Sequence, residues 1–100
     1  MDTSTIYRKA ADILDTIGWT QRAYTNNQGN VCLAQALLLA STSDGPTDWT
    51  YSEDYMNACE QFAVLTGHGI LSFNDAPERT KGEVTALLRL LATQMEGTTV

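Results

Sequence analysis

Between Ala23 and Glu78 the chain has no lysine and no arginine. The same stretch holds seven acids, namely Asp44, Asp48, Glu53, Asp54, Glu60, Asp75 and Glu78, and the whole chain carries a net charge of −6. A middle without cations repels phosphate, so direct nucleic-acid binding by counterion release is not expected. Histidine is nearly absent as well, with His68 the single one, and the two cysteines, Cys32 and Cys59, form no Cys-x-x-Cys. Neither a zinc site nor a dithiol redox pair is spelled out, and no metal or cofactor is expected. Long hydrophobic runs are missing too. The densest, Val31 to Ala40, includes Gln35 and is roughly half the ~20 residues of a membrane span. The opening Met1-Asp2-Thr3-Ser4 is polar and slightly acidic, unlike the basic start of a signal peptide. These absences lead to the expectation of a cytoplasmic chain, not inserted in a membrane, with both cysteines as reduced thiols.

What remains is globular. Hydrophobic residues make up 43% and charged residues 18% of the 100 residues, a balance that folds and does not stay disordered. One domain over residues 1–100 is expected, with the last three residues frayed. Ile6, Ala10, Ile13, Leu14 and Ile17 repeat with a period near 3.6, which predicts a first helix over Thr3 to Ile17. Thr3 or Ser4 can cap it, Gly18 can close it, and Trp19 can fold back onto it. Asn26-Asn27-Gln28-Gly29-Asn30 is a turn, whose flanks Ala23-Tyr24-Thr25 and Val31-Cys32-Leu33 can pair as a short hairpin. A second helix, from Val31 or Leu33 to Ser41, is apolar almost all round, as a central buried helix would be. Thr42 to Tyr51 reads as a loop. A third helix starts near Ser52 as its N-cap and ends at Gly67, with Tyr55, Cys59, Phe62, Ala63 and either Leu65 or Thr66 as its apolar stripe. Ile70-Leu71-Ser72-Phe73 reads as a short extended piece. The fourth helix opens on the capping box Thr80-Lys81-Gly82-Glu83 and continues with Val84, Leu87, Leu88, Leu91 and Met95 to Gly97. The expected fold is therefore all-α: a compact four-helix domain, with room for a hairpin between helices one and two.

One combination of residues is distinctive. Gly18-Trp19 follows the first helix, Val31-Cys32-Leu33 opens the second, and Phe73-Asn74-Asp75-x-Pro77-x-Arg79-Thr80 precedes Glu83-Val84 and the leucine-rich helix. This resembles a family of small proteins from actinobacteria and the phages that infect them. The resemblance covers nearly the whole chain and is weakest over residues 42–66. It implies a bacterial cytoplasmic setting and a phage origin, and it implies no activity.

Catalytic readings are poor. Cys32 or Cys59 could be drawn beside His68 and Asp75, but both cysteines fall on apolar faces, where a thiol loses its thiolate. Gly67-His68-Gly69 lacks the third glycine and the helix start of a phosphate loop. Glu53 and Glu60 share a helix face but stand about 10 Å apart, too far for one cation. Asn74, Asp75, Arg79, Thr80 and Glu83 read as a structural latch, the amide and carboxylate tying the turn before the last helix and Arg79 tying it to Asp75 or another loop. Trp49, Tyr51 and Tyr55 alternate with Asp44, Asp48, Glu53 and Asp54. Aromatics among acids in a loop are the composition of a protein-contact surface, while a bare packing role for Trp49 is the competing reading. The expected function is a non-enzymatic acidic accessory protein that binds a host or self protein. The alternatives are a small-molecule or enzymatic pocket bounded by Trp19, His68, Asn74, Asp75 and Arg79, and nucleic-acid mimicry by the acidic middle.

Overall fold

Tyr7 and Ala11 turn inward beside Ile6, Ala10 and Leu14, and this face fixes how α1 (Thr3–Ile17) packs. The apolar stripe is therefore shifted around the helix from the expected one, and Ile17 is left 45% exposed. The computed structural model of the chain describes residues 2–41 and 53–97. Within them, four further helices follow: α2 (Leu33–Ser41), α3 (Glu53–Thr66), α4 (Ile70–Asn74) and α5 (Lys81–Gly97). The start of α1 is capped neither by Thr3 nor by Ser4. Asp2 occupies the cap position without a side-chain bond, and its carbonyl accepts from the Ile6 N–H at 3.0 Å.

α5 lies antiparallel along α1. Arg8 pairs with Glu96 near one end, and Arg89 reaches Asp12 at 3.1 Å and Asp15 at 2.6 Å near the other. Exposed pairs of this kind contribute little each, about 0–1 kcal/mol, so the seam is held mainly by its buried apolar face. α1 also packs on α2, which in turn touches α3 and α4. The short α2 buries Leu33, Ala34, Ala36, Leu37 and Ala40, in keeping with its nearly all-apolar sequence. A line of aromatic rings crosses the core. Tyr7 meets Phe62 edge-on at 6.4 Å between centroids, and Phe62 meets Phe73 at 5.3 Å. The Tyr7 hydroxyl donates to the Ala58 carbonyl at 2.7 Å, and burial, with Cys59 nearby, drives its pKa well above the ordinary value.

Two expectations fail for identifiable reasons. Residues 70–73 are helical, not extended, so the described residues hold five helices. Ile70, Phe73 and Asn74 are buried while Leu71 and Ser72 are exposed, which is an i, i+3, i+4 pattern and not a period of two. The hairpin is reduced to single bridges, Thr25 with Val31 and Trp19 with Val31. Val31 is engaged from the other side, its N–H donating to the Gly18 carbonyl and its own carbonyl accepting from the Thr20 N–H. α2 then begins at Leu33, which leaves no length for a ladder. Ser52, expected to cap α3, and the loop from Thr42 to Tyr51 lie outside the described residues.

Candidate functional site

Asn74, at the end of α4, is completely buried. A primary amide offers two acceptor positions and two donor hydrogens, and burial makes each costly to leave unmade. All four are used. Oδ1 accepts from Trp19 Nε1 at 2.7 Å and from the Leu33 N–H at 3.0 Å. Nδ2 donates to the Thr20 carbonyl at 3.1 Å and to Asp75 Oδ1 at 3.0 Å. One side chain thus joins the segment after α1, the start of α2 and the end of α4. Gln21 reinforces the joint by donating from Nε2 to the carbonyls of Asn74 and Ala76, each at 2.9 Å. Trp19 is packed against the core and directs its indole N–H across to α4.

Asp75 completes the knot. Its Oδ1 accepts from the backbone N–H of Arg22 at 2.8 Å, which steadies Arg22 in the left-handed region at φ 63°. That bond, with the one from Asn74, holds the Asp75 carboxyl below the usual aspartate range. Arg79 does not reach Asp75. Its Nε donates to the Phe73 carbonyl at 3.0 Å, its guanidinium lies 3.8 Å over the Phe73 ring, and Nη1 pairs with Glu83 at 3.1 Å. Glu83 also accepts from the Thr80 N–H at 3.1 Å, while the Glu83 N–H donates to Thr80 Oγ1 at 3.2 Å, so the capping box is formed in both directions.

Outside this knot lies a surface trough. One cavity of about 230 Å3 is bordered by Arg22, Tyr24, Cys32, Leu71 and Asp75. A second, of about 520 Å3, is bordered by Tyr24, Tyr55, Cys59, Glu60 and Leu71 among others. Tyr24 and Leu71 belong to both, so the two cavities adjoin at these side chains. Tyr24 is 54% exposed and Leu71 50%, although α4 turns its other apolar residues inward. Both cysteines line the trough as free thiols, Cys32 buried and Cys59 half-buried, and burial pushes both thiols up.

The residues expected to meet a partner divide. Asp44, Asp48, Trp49 and Tyr51 lie outside the described residues; Glu53, Asp54 and Tyr55 form the first turn of α3, and Tyr55 reaches the trough. Of the residues proposed for an enzymatic pocket, Trp19, Asn74 and Asp75 come together, but the Trp19 N–H, the whole Asn74 amide and Asp75 Oδ1 are bonded to the fold. His68 is exposed in the α3–α4 turn, where its N–H and carbonyl both bond Thr66 Oγ1. Gln21, Arg22, Tyr24 and Leu71 escaped sequence reasoning. Among the described residues no three His, Cys, Asp or Glu side chains gather as a metal site, and no helix is long and apolar enough to cross a membrane.

The chain matches a family of unknown function (DUF6197) over residues 1–94, and it belongs to that family. No curated protein and no solved structure matches it.

Proposed function

We propose that this chain is a non-enzymatic accessory domain that binds a protein partner. The observation that carries the reading is the trough, where Tyr24 and Leu71 stand half-exposed between two adjoining cavities. Apolar side chains placed next to concave surface are what a docking partner desolvates. The expected contact loop from Asp44 to Tyr55 belongs to the same reading through Tyr55, which borders the trough at the start of α3. In this reading the partner is a host or self protein met in the cytoplasm, the setting that the resemblance to actinobacterial and phage proteins implies.

The competing pocket is less favoured on physical grounds. Asn74 has no hydrogen-bonding capacity left to offer a substrate, and the thiols are raised away from the thiolate that a nucleophile needs. Mimicry of nucleic acid asks for a charge density approaching that of the phosphate chain, and seven acids over residues 23–78 fall far short.

The test is affinity capture from host cytoplasm with wild-type and Leu71→Asp baits compared by quantitative mass spectrometry. Leu71 is half-exposed, so the variant is expected to keep the wild-type melt and to lose the specific prey. Prey retained equally by both baits would reject the trough as the binding surface. A small molecule that co-purifies with the wild-type chain in native mass spectrometry, with no specific prey, would favour the pocket.

A further inference from the structure

We propose that the trough over Tyr24 and Leu71 takes a cationic amphipathic segment of a partner, with apolar side chains seated on these two residues and lysine or arginine facing Glu60 and Asp75. The inference rests on the protein-binding reading above and adds the chemistry of the occupant. Its basis is how charge is distributed over the fold. Along the α1–α5 seam acids and bases cancel locally, with Arg8 on Glu96 and Arg89 on Asp12 and Asp15. Arg79 is likewise spent on Glu83. The helices that wall the trough contribute no cation of their own. α2, α3 and α4 contain Glu53, Asp54 and Glu60 and not one lysine or arginine.

Glu60 borders the larger cavity, is exposed, and has no ion-pair partner among the described residues. At the other end Asp75 borders the smaller cavity, its carboxylate held ionised by the Arg22 N–H and the Asn74 amide. Arg22 is the one cation bordering the two cavities, set against these two acids. Two acids against one cation around an apolar floor favour a basic segment twice over. They steer a cation in, and they leave an acidic competitor facing like charge. The two exposed anchors supply the desolvation that charge alone does not.

The probe is a fluorescein-labelled synthetic helix of lysine and leucine, compared with its glutamate-for-lysine counterpart by fluorescence anisotropy against the full chain. The cationic peptide is expected to bind, and the acidic one to bind at least about tenfold more weakly. Leu71→Asp and Tyr24→Ala should each weaken the cationic peptide by about tenfold. Glu60→Gln should weaken it less and flatten its dependence on salt. Glu60 is an exposed helix residue, so this variant tests charge without threatening the fold. If both peptides bind equally and both depend on Leu71, the charge assignment is overturned while the docking surface stands. If neither peptide's binding depends on Leu71 or Tyr24, both the occupant and the protein-binding reading of the trough fall.

Discussion

Trp19 Nε1 and Asn74 Oδ1 lie 2.7 Å apart across 55 positions of sequence, and the same oxygen also holds the N–H of Leu33. The consequence is an asymmetry between the two partners. Trp19→Phe removes one donor and leaves Asn74 Oδ1 still bonded to Leu33, so it should cost about 1 kcal/mol. Asn74→Ala strands the indole N–H, the Leu33 N–H and the Thr20 carbonyl together in a buried joint. At roughly 1–3 kcal/mol for each buried group left unmade, the loss should reach at least about 3 kcal/mol. Urea melts followed by circular dichroism measure both. Equal costs for the two substitutions would mean that the bonds are replaced by water and that Asn74 is no hub.

Asp75 adds a dependence on pH. Its folded-state pKa is depressed, first by the Arg22 backbone N–H and then by the Asn74 amide. A depressed carboxylate contributes stability that is fully present above its ordinary value of 3.8 and is lost as pH falls through the lower, folded value. Asp75→Asn keeps a carbonyl for Arg22 but cannot titrate. The difference in stability between wild type and this variant should therefore shrink on acidification below 3.8. A difference that stays constant from neutral pH down to that range would show that the charge of Asp75 contributes nothing.

Gly18 supports a third expectation. It closes α1 at φ 110°, its carbonyl accepts from Val31, and a Cβ there would come 2.5 Å from Asn30 Oδ1. Gly18→Ala should cost about 1–3 kcal/mol, because both the backbone conformation and the contact oppose a side chain. Asn30 is a side chain that can move, so adding Asn30→Ala should recover the smaller part only. Full recovery in the double variant would put the whole cost on the contact and none on φ.

The parts of this fold that could be read in the sequence are those written in local interactions. The capping box of Thr80 and Glu83 and the leucine period after it define α5 from neighbours three and four positions apart, and the structure forms both. The apolar character of α2 and the glycine after α1 are equally local. The knot is different. Asn74 was recognisable as a polar residue in a turn, but its partners stand at Trp19, Thr20 and Leu33, and a bond between distant segments leaves no periodic trace. Asp75 and Arg79, four residues apart, suggested each other, yet each found a backbone group nearer: Arg22 N–H for one, Phe73 carbonyl for the other. The quartet at residues 70–73 was too short for a period of two to be told from one of 3.6, and so the outward-facing Leu71 and the trough it borders went unseen.

The last prediction uses the cysteines as reporters of that trough. Cys32 is 2% exposed and Cys59 half-buried, and each borders one of the two adjoining cavities. Burial raises both thiols above their ordinary value of 9.0, so little thiolate exists at neutral pH and the rate of alkylation should still be rising beyond pH 9. Unfolded protein purified without reductant should titrate as two thiols. In the folded chain Cys59, the more open, should react with iodoacetamide before Cys32, as followed by peptide mass spectrometry. An occupant of the trough covers Cys59 without touching the core, so the cationic peptide should slow its labelling, and added salt should restore the rate. A disulfide between the two cysteines, or labelling of Cys59 that is indifferent to a bound peptide, would contradict the thiol state in the first case and the position of the occupant in the second.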